Sequence, residues 1–280
     1  MNCAWQAYIN ILPPWLKEEA DKQRNTLLET RLRLNRETEL VTSAESIWYD
    51  RKATSEDLNY CINSATKYSP WNATSAARGY ITATGGHRIG LCGEAVIKNF
   101  EPAGIRTPTS LCIRVARDFC GIGEDADHMD KGILILGPPG TGKTTLLRDI
   151  IRRKSNIYGA VGVVDERGEL FPYNGLSACF DCGLRTDVIT GIDKQNGIDI
   201  LLRCMTPTWI AVDEITAQTD CEALIKAGWC GVKLIATVHA ENKNDLYRRP
   251  VYKPLLESGL FEWLITMKKD RAWFGERIYL

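Results

Sequence analysis

Residues Gly137 to Thr144 read G-P-P-G-T-G-K-T, between the apolar run Gly132 to Leu136 and a helix-favouring stretch from Thr145 to Arg153. A buried strand, a glycine-rich loop and a helix in that order leave few folds open. Gly137, Gly140 and Gly142 let the backbone curl so that successive N–H groups and the helix N-terminus face a polyphosphate. Pro138, Pro139 and Thr141 complete the loop. Lys143 is placed to reach the β- and γ-phosphates, and the Thr144 hydroxyl, with Thr145 beside it, suits Mg²⁺. ATP is the implied ligand, with GTP second to it.

Composition sets bounds. Lysine plus arginine equals aspartate plus glutamate at 35 each, so no global field draws the chain toward nucleic acid or anionic lipid. The ten cysteines, in a chain whose start shows no apolar export segment, read as reduced thiols and point to a cytoplasmic protein. Cys179 and Cys182 form a C-x-x-C pair without a second pair at zinc-ribbon spacing, so ordinary thiols are expected rather than a structural zinc. No apolar run approaches the ~18 to 20 residues of a spanning helix, and any membrane role has to pass through a partner.

The polar, glycine-containing stretch Asp118 to Lys131 suits an exposed connection and divides the chain near residue 120. Residues 1–120 then form a small α+β domain and residues 121–280 an α/β domain. In the first, Pro13 and Pro14 fit the opening turn of a helix running through Leu27. Leu28, Thr30, Leu32 and Leu34 alternate with Glu29, Arg31 and Arg33, the pattern of a half-buried strand, and Asn35-Arg36 turns it into a second strand ending near Thr42. Thr54 and Asp57 make a capping-box start, after which Leu58, Cys61, Ile62, Ala65 and Tyr68 follow at helical spacing. Gly85-Gly86 suits a two-residue hairpin turn between Tyr80–Thr84 and His87–Val96, and Leu111, Ile113 and Val115 alternate in a last strand.

In the second domain, short apolar strands at Ile133–Leu136, Ala160–Val164, Trp209–Val212 and Val232–Val238 alternate with helices. This predicts a parallel sheet covered on both faces, with functional groups at its carboxyl edge. Trp209 to Val212 delivers Asp213 beside Mg²⁺ and Glu214 beside the attacking water, a Walker B arrangement. The second strand ends in Asp165, Glu166, Arg167, Gly168 and Glu169, and the fourth in His239, which is placed to sense the γ-phosphate.

The ordered set G-P-P-G-T-G-K-T, V-V-D-E-R-G-E-L, L-R-T-D-V-I, W-I-A-V-D-E-I and T-V-H-A resembles the stage III sporulation AA family of endospore-forming bacteria, relatives of the type II and type IV secretion ATPases. In the first half, L-E-T-R-L-R-L-N-R, G-Y-I-T-A-T-G-G-H-R-I-G and C-I-R-V-A-R resemble it as well. The resemblance implies a RecA-like P-loop ATPase domain with Asp165, Glu166 and Glu169 as an acidic box and His239 as the box histidine. It leaves open whether Glu166, Glu169 or Glu214 orients the water, because this box opens Asp-Glu where secretion ATPases read Glu-Asp. It further implies a homo-oligomeric ring, usually a hexamer, in which Arg185 and Arg203 approach nucleotide held by the next subunit and Arg114 touches it across domains. The ring is expected to dock on membrane-embedded channel proteins of the sporulation apparatus, at the channel joining mother cell and forespore. The competing reading is a nucleic-acid-dependent RecA-like ATPase, with Arg31, Arg33 and Arg36 as a phosphate stripe and Trp48 and Tyr49 as stacking platforms. A third is a scaffold that binds ATP to fix its oligomeric state.

Overall fold

A computed structural model describes residues 3–66, 79–98, 100–173 and 179–278. The chain divides into two compact units, one of residues 1–118 with 172–180 and the other of residues 119–171 with 181–280.

In the first unit, helices α1 (Trp5–Ile11), α2 (Pro14–Lys22) and α3 (Ser55–Thr66) accompany a six-stranded antiparallel sheet. Its strands are β1 (Leu27–Arg33), β2 (Glu37–Thr42), β3 (Ser46–Lys52), β4 (Tyr80–Thr82), β5 (Arg88–Lys98) and β6 (Glu101–Arg114), in the order β3-β2-β1-β6-β5-β4. The expected helix from Pro13 to Leu27 is shorter than its pattern suggested. It stops at Lys22, and Leu27 already opens β1. A separate helix, α1, precedes it, because Leu12 before Pro13 is held extended at ψ 149°. In β1 a register shift between Leu27 and Glu29 buries Leu27 in place of Leu28, after which Thr30 and Leu32 turn inward as expected. Strand β3 escaped the sequence because it is a polar sheet edge, exposed at most of its positions. The cap of α3 holds as read, with Asp57 accepting the Thr54 N–H at 2.9 Å and Thr54 Oγ1 accepting the Asp57 N–H at 3.2 Å. Tyr68 lies outside the described residues. The β4–β5 turn spans three residues, Thr84–Gly86, with Gly85 at φ 82° and Gly86 at φ 79°. A Cβ on Gly85 would fall 2.4 Å from that of Ala4, so the turn needs glycine there for space as well as conformation.

His87 lies at the centre of this unit and is fully buried. Its Nδ1 accepts the Ala116 N–H at 3.0 Å, so Nε2 donates to the Ala4 carbonyl, also at 3.0 Å. Burial lowers its pKa from the ordinary 6.5 to about 4. As pH falls below 6.5 the unfolded chain protonates this ring while the folded chain does not until about 4, so stability is lost across that window and levels below it. The loss is at most about 1.4 kcal/mol per pH unit. Urea unfolding between pH 7 and 4 should therefore show a steeper decline for the wild type than for His87→Gln.

In the second unit, seven strands run in the order β13-β12-β7-β11-β10-β8-β9. They are β7 (Gly132–Leu136), β8 (Val161–Asp165), β9 (Thr186–Thr190), β10 (Trp209–Val212), β11 (Lys233–Val238), β12 (Phe261–Met267) and β13 (Trp273–Arg277). All pairings are parallel except β12–β13, as the α/β reading requires. The four expected strands form the centre, every residue of β7, β8 and β10 being buried. Three further strands, β9, β12 and β13, extend the margins. The helices are α4 (Lys143–Ile157), α5 (Lys194–Cys204), α6 (Gln218–Trp229), α7 (Lys243–Arg248) and α8 (Lys253–Glu257).

The stretch expected as an exposed connection is exposed at most of its positions but anchored at a few. Ala126 and Met129 are buried, and the buried Lys154 of α4 donates to the carbonyls of Ala126, Asp127 and Met129 at 2.7 to 3.0 Å. Its glycines and acidic residues read as a loop, but a lysine ammonium taken out of water needs this many acceptors. All ten cysteines are free thiols, with Cys179 in the first unit and Cys182 in the second.

Candidate functional site

The glycine loop leaves β7 with Gly140 at φ 76° and Gly142 at φ 96°, conformations that disfavour side chains. Gly137 is required on other grounds, since a Cβ there would lie 2.8 Å from that of Met267. Thr141 is buried and closes the turn by donating to the Pro138 carbonyl at 2.8 Å. Helix α4 then starts at Lys143, so the first-turn amides face the loop. The Lys143 ammonium donates to the Gly137 carbonyl at 2.7 Å, the Pro138 carbonyl at 2.9 Å and His239 Nδ1 at 3.1 Å. Burial lowers its pKa, partly offset by Asp213 and Glu214.

The strand order places β11 between β7 and β10, which brings the ends of three strands together. Asp213 accepts from Thr144 Oγ1 at 2.9 Å through one oxygen and from Thr237 Oγ1 at 2.6 Å through the other. Glu214 follows at φ 45°, a left-handed backbone rare for a side-chain-bearing residue. Its N–H donates to Thr237 Oγ1 at 2.8 Å and Asp213 Oδ1 at 3.0 Å. Such strain costs on the order of 1 to 3 kcal/mol and collects where it aims a side chain. Here it directs the carboxylate at His239 Nε2, 3.1 Å away, and at Arg167 Nη1, 3.4 Å away. An ammonium only donates, so His239 Nδ1 accepts from Lys143 and Nε2 carries the hydrogen toward Glu214. Lys143, His239 and Glu214 thus form one chain. Together with Pro139, Gly140, Gly142, Thr144, Thr145, Asp213 and Thr237 they line a cleft of about 340 Å³.

The acidic cluster after β8 divides by role. Asp165 is 2% exposed and accepts the N–H groups of Glu169, Leu170 and Phe171 at 2.8 to 3.0 Å, so it holds the loop. Burial raises its pKa, the three amides act against that, and Asp213 adds to it. Arg148 of α4 supports the same loop from behind, donating to the Leu170 and Glu169 carbonyls at 2.6 and 3.1 Å. Glu166 pairs with Lys194 at 2.7 Å. Asp165, Glu166, Arg167, Glu169, Lys194, Asp213 and Glu214 enclose a second cavity of about 30 Å³, room for a water molecule.

Of the three arginines, two lie elsewhere in this unit. Arg185 precedes β9 at the amino-terminal end of the sheet, opposite the glycine loop, and donates to the carbonyls of Ser155 and Asn156, both at 2.8 Å, at the end of α4. Arg203 is exposed at the end of α5. Arg114, in the first unit, pairs with Glu29 at 3.2 Å. Of the stripe offered for nucleic acid, Arg31 pairs with Glu29 at 2.7 Å, Arg33 with Glu39 at 3.0 Å, and the Tyr49 hydroxyl donates to Glu19 at 3.3 Å, while Arg36 and the exposed Trp48 line a cavity of about 460 Å³ with Arg33. Thr237, Arg148 and Lys194 were missed in the sequence, and Arg167 was named there only as part of the acidic cluster. Thr237 stood in the quoted T-V-H-A, two residues before the histidine and therefore on the same side of the strand. Arg148 stands one helical turn beyond Thr144.

The family described as sporulation stage III, protein AA, matches residues 11–275. Stage III sporulation protein AA of Bacillus subtilis (strain 168) is 33% identical over 268 residues, 92% of this chain and 87% of that protein. Among solved structures, the ATPase DotB of Yersinia pseudotuberculosis has a TM-score of 0.59 at 16% identity, covering 94% of this chain and 76% of that one. The pilus retraction motor PilT, solved with bound ADP, has a TM-score of 0.60 at 12% identity, covering 90% and 76%. At these identities the likeness to both is one of fold.

Proposed function

This chain belongs to the sporulation stage III protein AA family, and from that membership and the site we propose that it is a Mg²⁺-dependent ATPase, a secretion-type ring motor. It would hydrolyse ATP to ADP and phosphate to power assembly of, or transport through, the channel between mother cell and forespore. The observation that carries the reading is the linkage of glycine loop and strand ends by Lys143–His239–Glu214 and Thr144–Asp213–Thr237. The loop amides and Lys143 hold the phosphates, and an adenine nucleotide agrees with the ADP in the pilus retraction motor of like fold. Thr144 and Asp213 fit Mg²⁺ by chemistry and spacing. A hydroxyl and a carboxylate within hydrogen-bond reach of each other at the cleft are the hard oxygen donors that Mg²⁺ takes. Mg²⁺ bound there would neutralise phosphate charge. Glu214, aimed by its strained backbone, orients and deprotonates the attacking water, and His239 carries the state of the phosphate site from Lys143 to that carboxylate.

The motor role rests on the family resemblance and on Arg185, which sits at the far end of the sheet from its own loop and so would serve a neighbouring subunit. Among the described residues no helix is long and apolar enough to cross a membrane. On the family resemblance, the ring would engage membrane-embedded channel proteins from the cytoplasmic side. Light scattering after chromatography with and without Mg·ATP, with phosphate release assayed in each fraction, tests this. We expect ring-sized oligomers whose turnover falls roughly 10³-fold or more in Arg185→Ala, as for other inserted arginines. Active monomers indifferent to Arg185 would reduce it to a helix cap and overturn the motor reading.

A further inference from the structure

Lys194 is a buried cation that the mechanism above does not use. It is the first residue of α5, where the positive end of the helix dipole disfavours an ammonium, and its side chain is only 7% exposed. A charge in that setting persists only if it is paired. Its partners come from two other segments. Nζ lies 2.7 Å from Glu166 Oε2, in the acidic loop after β8, and 3.6 Å from Asp220 Oδ2. That same Asp220 oxygen accepts the N–H groups of Thr216 and Ala217 at 3.0 and 3.2 Å, fixing the turn that follows Glu214 and starts α6. Lys194 also lines the small cavity shared by Glu166, Glu169, Asp213 and Glu214.

We propose that Lys194 is a positioning residue: it ties the acidic loop to the turn after Glu214 and holds the Glu166 carboxylate, 42% exposed, at the cavity beside the hydrolytic carboxylates. The inference rests on the ATPase reading for its effect on rate, but the tie between the two segments stands independently of turnover. Without the ammonium, Glu166 is free to rotate into solvent and the Asp220 cap loses a neighbouring charge. Lys194 touches neither the glycine loop nor its cleft, so nucleotide affinity should be spared.

The test compares full-length wild type, Lys194→Met, Lys194→Arg, Glu166→Ala and the double variant Lys194→Met/Glu166→Ala. For Mg·ATP, Lys194→Met should lower kcat roughly 10- to 100-fold with KM nearly unchanged, the scale of a misplaced supporting group. Lys194→Arg should recover most of the loss. The double variant should be no slower than the worse single variant, since both act through one contact. Hydrogen exchange should rise at residues 165–171 and 214–217 in Lys194→Met and stay near wild type in Lys194→Arg. Wild-type kcat in Lys194→Met, multiplying losses in the double variant, or unchanged exchange in both segments would each overturn the proposal. If wild type itself releases no phosphate, the ATPase reading fails, and the exchange comparison still decides whether Lys194 joins the two segments.

Discussion

Lys143→Ala is expected to lower ATP turnover by roughly 10²- to 10³-fold or more, the scale seen when one preorganised donor to a developing negative charge is removed. The side chain is the only cation among the described residues lining the glycine-loop cleft, and it lies at the end of the Lys143–His239–Glu214 chain. Its loss therefore removes phosphate charge compensation and releases His239 from the partner that fixes its tautomer. The fold should survive. Of the two carbonyls that lose a donor, that of Gly137 is buried and that of Pro138 is partly exposed, so the stability cost should stay within the ~1 to 3 kcal/mol of one unsatisfied buried acceptor. Phosphate release and thermal unfolding on the same preparation separate the two effects, and wild-type turnover in this variant would remove the loop from the mechanism.

Glu214→Gln should bind ATP as tightly as wild type and hydrolyse it roughly 10²- to 10⁴-fold more slowly, the range for loss of a general base. Glutamine keeps the size of the side chain and can still accept from His239 Nε2, and the φ 45° backbone is held by Thr237 and Asp213 rather than by the carboxylate. What disappears is the capacity to take a proton from water. Normal hydrolysis with Glu166→Ala inactive would move the base to the acidic loop, where Glu166 shares the small cavity with Glu214.

Legibility in the sequence follows where a residue's job is set by its neighbours in the chain. The glycine loop, Asp213, Glu214 and His239 could be placed because each directly ends a short apolar strand, and parallel topology sends all such ends to one edge. Within D-E-R-G-E, by contrast, Asp165 and Glu166 look equivalent, and only the fold shows the first spent on three amides and the second on Lys194. Lys194 gave no signal because its partners are distant in sequence, and Arg148, one turn beyond Thr144, was passed over because an arginine on a helix usually means a solvated face. Strands β3 and β9 were unread because sheet margins are half exposed and lose the apolar run that marks a central strand. Leu28 was misread as inward-facing because a single register shift moves every side chain before it to the other face.

The most direct test of the account measures fluorescent ATP-analogue binding and phosphate release in parallel for wild type, Lys143→Ala and Glu214→Gln, with Mg²⁺ and with chelator. The account predicts binding with Mg²⁺-dependent release in wild type, release lost in Lys143→Ala, and binding without release in Glu214→Gln. A wild type that binds no ATP, or a Glu214→Gln variant that releases phosphate at the wild-type rate, would contradict it.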